Sequence, residues 1–250
     1  MKLVALTGIV CAVFTAGFGP RIAQGNLKVD PATAGTVTGR AVFDGSRPAR
    51  EPLNMSANPY CVKVAAQNVM NDRILIDQAG GLANVFVYVK EGLDAAYSFD
   101  VPTAAVVLDQ RLCQFIPRVV GVQVGQPLMV VNSDHTLHNV HARPSANQPF
   151  NTGQPIAGMR LTHTFTKPEV MVPLTSDIHS WMAAFVGVLP HPFFAVTSAD
   201  GSFTIRGVPS GAYTVEAWHE KFGRAIERLT VDAGQTTSVS FTFLSRGPRR

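Results

Sequence analysis

The residues best equipped for chemistry lie in two short stretches. One is Ser176-Asp177-Ile178-His179-Ser180-Trp181-Met182, and the other is His135-Thr136-Leu137-His138-Asn139-Val140-His141. A His and a Met three positions apart on one loop, with a second His from a distant strand, supply two imidazole nitrogens and a soft thioether. Copper takes such donors: the trigonal blue-copper site uses two His, one Cys thiolate and a weak axial Met. The candidate ligands are therefore His179, Met182 and a His of the second stretch, and the loop has no Cys, opening instead on Ser176. A serine hydroxyl is hard and protonated near neutral pH, so it replaces a thiolate poorly. Fast electron transfer loses its main structural basis, and what remains is copper binding or carriage in a non-blue site. His135 and His141 flank His138, and either is a candidate third nitrogen ligand. His163 between two Thr and His191 between two Pro read as structural.

Strands must position these side chains. Helical periodicity is nearly absent, and short alternating runs bounded by Gly, Pro, Asn and Asp recur, so the fold class is all-β. Residues 36–43 place Val37, Gly39, Ala41 and Phe43 on one face. Residues 82–89 are continuously apolar, as in a strand covered on both faces. Further strands are expected at 104–108, 118–124, 128–131, 160–165 and 170–174, with 181–188 returning to the sheet after the metal-type loop. Residues 145–158, rich in Pro, Asn and Gln, have no period and are expected to form an ordered surface loop.

Residues 1–25 have the basic start, apolar middle and small-x-small end of an export signal. Their apolar run is too short for a membrane span, and no later stretch reaches about 18 apolar residues, so no retained transmembrane segment is expected. A periplasmic or secreted protein follows. The chain has 21 Lys+Arg against 17 Asp+Glu. Lys2, Arg21, Arg246, Arg249 and Arg250 belong to its two ends, so the body carries 16 basic and 17 acidic residues. No basic face for nucleic acid follows from that balance. Cys11 falls in the signal and leaves Cys61 and Cys113, an even number in a disulfide-permissive compartment. A disulfide between them is expected to contribute roughly 4 kcal/mol by closing a loop of about fifty residues. Two buried free thiols are the alternative. Metal ligation by Cys113 has no His or Cys at ligand spacing beside it.

The two metal-type stretches resemble the cupredoxins. In amicyanin-like members the closing loop reads Cys-x-x-His-x-x-Met, and the first His lies in a His-Asn-Val segment. This sequence keeps His138-Asn139-Val140, His179 and Met182, and has Ser176 at the Cys position. The resemblance covers roughly residues 101–190 and implies a Greek-key sandwich with copper as cofactor. Residues 197–205 and 208–215 resemble the carboxypeptidase regulatory-like, transthyretin-like β-sandwich through Asp200-Gly201-Ser202-Phe203 and the turn Pro209-Ser210-Gly211-Ala212-Tyr213. Gly35-Thr36-Val37-Thr38-Gly39 and Val85-Phe86-Val87-Tyr88-Val89 fit that family's first strand and its apolar strand.

The expected organisation is a signal peptide at 1–25, a regulatory-like sandwich split as 34–100 plus 191–245, a cupredoxin-like domain at 101–190 inserted between its strands, and a basic tail at 246–250. Three sequential β units are the alternative. Asp177-Ile178-His179 and Trp218-His219-Glu220 are also similar to bacterial exported proteins of the methylamine-utilisation or plastocyanin-like type. Such proteins carry Cys at the position of Ser176 and His at the position of Arg118. The resemblance implies a periplasmic redox or copper-handling protein as partner. The second function class is a metal-free periplasmic or cell-surface binding module for a protein or carbohydrate. No Ser/His/Asp arrangement, Gly-rich phosphate loop or carboxylate pair near the His cluster points to an enzyme.

Overall fold

A computed structural model describes residues 27–64 and 69–245. The expected signal peptide and basic tail lie outside the described residues. The alternating runs form strands throughout, beginning with β1 (Gly35–Asp44), the short helix α1 (Pro59–Val64), β2 (Phe86–Glu91), β3 (Val106–Arg111) and β4 (Gln114–Ile116). There follow β5 (Val119–Gln123), β6 (Pro127–Asn132), β7 (His138–Ala142), β8 (Phe150–Gln154), β9 (Arg160–Thr164), β10 (Glu169–Thr175) and β11 (Ala183–Leu189). The last strands are β12 (Phe194–Val196), β13 (Ser202–Val208), β14 (Gly211–His219), β15 (Gly223–Val231) and β16 (Thr236–Leu244). No described helix is long and apolar enough to cross a membrane.

The strands form two sandwiches. In the first, the sheet β13-β1-β16 faces the sheet β12-β2-β14-β15. Val37, Ala41 and Phe43 of β1 meet Val87, Val89 and Val215 of the opposite sheet in its core. The strands β3 to β11, which lie between β2 and β12 in the chain, make the second pair of sheets, β5-β11-β10-β7-β8 and β4-β3-β6-β9. Leu108, Leu128 and Val130 pack there against Val140, Leu174 and Val186.

Residues 150–154 depart from the surface loop expected of them. They form β8, paired with β7 from His138↔Gln154 to Ala142↔Phe150. β8 is the outermost strand of its sheet. Its burial alternates, with Phe150, Thr152 and Gln154 turned inward, but two of those three are polar, so its hydropathy does not.

The continuous apolar run of β2 has its cause in the contact between the sandwiches. Val87 and Val89 enter the first core, while Phe86 and Tyr88 point the other way and pack with Val119 and Leu189. Gly121 and Gly187 leave room for the rings, since a Cβ at either would run into Phe194 or Phe86. Arg118, just ahead of β5, crosses the same junction. Its Nη1 donates to Asp72 Oδ1 at 2.7 Å, and Nε and Nη2 grip the Glu220 carboxylate.

One end of the second sandwich carries both metal-type stretches. The chain between β1 and β2 leaves the first sandwich and lays α1 over that end. Met55 and Cys61 pack there with Cys113 and against Trp181. Cys61 and Cys113 are joined in a disulfide with their Cα atoms 5.6 Å apart.

Candidate metal centre

β7 begins at His138, and the pleat turns His138, Val140 and Ala142 to one side. All three are buried. Asn139 and His141 face the other way, where His141 Nδ1 meets Asp177 Oδ1 at 2.9 Å in a half-exposed pair. Strand parity therefore removes His141 from the His138 side. His135 lies in the exposed turn before β7, with its backbone N–H donating to the Tyr60 hydroxyl at 2.9 Å. Neither flanking histidine is hydrogen-bonded to His138 or His179 among the described residues.

The turn 176–179 is built by Ser176. Its Oγ accepts the backbone N–H of His179 at 3.0 Å and of Ile178 at 3.2 Å, and donates to Asn139 Oδ1 at 2.7 Å. Asn139 Oδ1 also accepts the Asp177 N–H at 2.9 Å, which ties the loop to β7. This turn brings His179 to His138: their Nδ1 atoms are 2.9 Å apart, and both rings are buried. Trp181 covers His179, with ring centroids 5.0 Å apart, and donates its indole N–H to the Cys113 carbonyl at 2.9 Å. Met182 is buried in the core of the second sandwich beside Trp181. Its backbone N–H donates to the His179 carbonyl at 2.8 Å.

The other ring nitrogens reveal residues that sequence reasoning missed. His138 Nε2 lies 2.9 Å from Asp134 Oδ2, and Asp134 also accepts the backbone N–H groups of Leu112 and Cys113. Burial opposes its charge, but these donors outweigh burial and hold the Asp134 carboxyl below the usual carboxylate range. His179 Nε2 lies 2.8 Å from Asn58 Nδ2 and 3.7 Å from Cys61 Sγ. Asn58 Oδ1 accepts the N–H groups of Tyr60 and Cys61, as the N-cap of α1.

That cap decides where the protons sit. With Oδ1 committed to α1, the Asn58 amide presents Nδ2, which only donates, to His179 Nε2. Neutral His179 therefore carries its proton on Nδ1 and gives it to His138 Nδ1. His138 then holds its own proton on Nε2, toward Asp134. Burial first, and then the neighbouring His138, push the His179 imidazolium pKa down to about 4, so the ring is neutral near pH 7. The chain Asn58–His179–His138–Asp134 is complete in hydrogen bonds.

Two imidazole nitrogens sharing one ion at ~2.0–2.1 Å each must lie within about 4 Å of one another. The Nδ1 pair meets that condition, so His138 and His179 fit a metal that takes nitrogen donors. The type-1 copper set does not fit, because the Ser176 hydroxyl is spent on its own turn and carries no thiolate. Cys113, with no His or Cys beside it in the sequence, lies with Asp134 and His138 in a group whose ligand atoms all fall within 4.8 Å, its sulfur bonded to Cys61. His163, His191 and His219 sit apart from the pair, each against aromatic rings.

Residues 185–244 match the family model of the carboxypeptidase regulatory-like domain. No curated protein matches the chain. Among solved structures, the chain is similar to a Cu-containing nitrite reductase from Thermus scotoductus SA-01, at 24% identity and a TM-score of 0.31. That match covers 40% of this chain and 25% of the reductase, so the chain spans about a quarter of that protein's length. A purple cupredoxin from Nitrosopumilus maritimus is 19% identical over 34% of this chain and 98% of its own, with a TM-score of 0.29. The Cu(I) form of a point mutant of amicyanin is 20% identical over 42% of this chain and 98% of its own, with a TM-score of 0.31.

Proposed function

We propose that this chain binds copper through the imidazoles of His138 and His179, and that it serves copper binding or carriage, not fast electron transfer. One observation carries the reading: two Nδ1 atoms of buried rings meet at 2.9 Å. Asp134 supports it, since a metal-bound His commonly gives its second N–H to a carboxylate. Bound copper would supply a one-electron couple. The chain's part is to aim two nitrogens, shut out water with Trp181 and α1, and keep the His138 proton on Nε2, where Asp134 accepts it. Export and a periplasmic copper-handling partner belong to the same proposal, and the signal-like start of the sequence supports them.

The test is one equivalent of copper(II) added to the disulfide-intact protein. The expected product is pale, with nitrogen hyperfine coupling from two imidazoles in its electron paramagnetic resonance spectrum. His138→Ala and His179→Ala should each remove that pattern. Copper whose spectrum neither variant alters sits elsewhere and sinks the reading.

Asn58 sets the affinity. A metal on both Nδ1 atoms needs the His179 proton on Nε2, where it faces the N–H of Asn58. Asn58→Asp keeps an oxygen for the α1 cap and turns another, an acceptor, toward Nε2. Second-shell partners of this kind change metal affinity by about 10–100-fold, so Asn58→Asp is expected to tighten copper(II) binding by that order. Competition against a chelator of known affinity measures it, and unchanged or weaker binding contradicts the proton assignment.

The hydrogen-bond completeness of the same chain favours a second reading, a metal-free binding module in which the His pair only fastens the loop to β7. Absence of stoichiometric copper in both the parent and Asn58→Asp would select it.

A further inference from the structure

The Cys61–Cys113 disulfide lies against the histidine pair, and Cys61 faces a nitrogen, His179 Nε2, that the copper reading above does not use. Cys61 Sγ is 3.7 Å from His179 Nε2. Cys113 shares a 4.8 Å cluster with Asp134 and His138. Both cysteines are fully buried. The Asn58 amide keeps His179 Nε2 unprotonated, so its lone pair already points toward Asn58 and Cys61. We infer that the disulfide masks a second, thiolate-based metal site, and that reducing it exposes a site for a soft cation, copper(I), bound by Cys61, Cys113 and His179 Nε2.

The chemistry is a two-electron reduction followed by ligand exchange. A dithiol reductant attacks one sulfur, the S–S bond breaks, and the reductant leaves as its own disulfide. Cys61 and Cys113 become thiols. Copper(I) then bonds both sulfurs and His179 Nε2, and the two thiol protons pass to solvent. Soft thiolates with an imidazole select copper(I) over hard cations. Asp134 remains the acceptor for His138 and for the Cys113 backbone N–H, which holds one thiolate in place from behind. Access comes through α1, a six-residue helix whose Val62 is 54% exposed. Once the sulfur link is cut, displacing that turn uncovers Cys61. The sulfur that position 176 lacks thus comes to the Nε2 side of His179, from Cys61 between β1 and β2 and Cys113 between β3 and β4.

Chelator competition under anaerobic conditions tests this with copper(I) as the probe. The full chain is measured in its disulfide form and after reduction with dithiothreitol and removal of that reagent. The reduced form is expected to bind one copper(I) roughly a hundredfold more tightly than the disulfide form, with an ultraviolet thiolate-to-copper(I) band. Equal affinity in the two forms overturns the inference. The Cys61→Ser/Cys113→Ser double variant should bind no more tightly than the disulfide form. If it matches the reduced parent, opening the cap and not sulfur ligation produces the gain, and the inference fails. His179→Ala guards against two thiols on a loosened chain. Its reduced form should lose most of the gain, and affinity that survives the substitution overturns the three-ligand site. Asn58→Asp separates this site from the Nδ1 pair, since it moves the His179 proton onto Nε2. It should weaken copper(I) binding by the reduced form while strengthening copper(II) binding by the disulfide form. If the copper(II) arm fails and the copper(I) arm holds, the Nδ1 reading falls and the masked site stands.

Discussion

Copper(II) added to the Ser176→Cys variant is expected to produce an intense visible thiolate-to-copper absorption, while the parent stays pale. Ser176 Oγ accepts the N–H groups of His179 and Ile178. A sulfur at the same point receives the same donors, and hydrogen bonds to the charged form favour the thiolate. The substitution loses the hydroxyl's bond to Asn139 Oδ1. That oxygen keeps the amide N–H groups of Asp177 and Ile178, so the loop stays tied to β7. Position 176 and His179 share one turn, and the turn brings His179 to His138, so one added sulfur completes a set whose nitrogens are already in place. Cys61 and Cys113 are paired, so a thiol count on the same sample, freed of residues 1–25 and with them Cys11, should find a single free thiol. A variant with that thiol, bound copper and no strong visible band would show that position 176 is not aimed at the imidazole pair.

Arg118→Ala is expected to destabilise the protein by about 3–5 kcal/mol, the cost of breaking a buried ion pair from one side. The Arg118 side chain is 4% exposed, and its partners Glu220 and Asp72 are 10% and 29% exposed. Truncation leaves two carboxylates near each other with no cation between them. Glu220 follows β14 of the first sandwich, Asp72 lies in the segment leading to β2, and Arg118 precedes β5 of the second, so the loss falls on the junction. Denaturant unfolding followed by Trp181 and Trp218 fluorescence should show a lower midpoint. Replacing Arg118 and Glu220 together with Met should recover much of the loss, because well-packed apolar groups often substitute for a buried pair without penalty. A loss below about 1 kcal/mol for Arg118→Ala would place this clamp with exposed surface pairs and refute its buried role.

Much of the fold is legible in local pattern. The alternation in 36–43 places Val37, Ala41 and Phe43 inside, as β1 does. The unbroken apolar run at 82–89 signals a strand covered on both faces, and β2 meets one core with Val87 and the other sandwich with Phe86. Period-two side-chain direction is a property of the backbone, so a strand with two different faces declares itself in sequence. β8 was not legible, because two of its three inward residues are polar and its pairing is made by backbone groups that every residue carries.

The site divides along the same physical line. The sequence by itself determined the identities of His138, His179 and Ser176, and with them the absence of a thiolate from the loop. Only the tertiary structure decided that His141 faces away from His138, that Asp134 backs one ring, and that Asn58 and Cys61 arrive against the other from across 121 and 118 residues of chain. Ligand type is a covalent property of each residue. Proton position, burial and the approach of a disulfide depend on which distant segments pack together, and α1 reaches His179 only because the chain between β1 and β2 is laid over the end of the second sandwich.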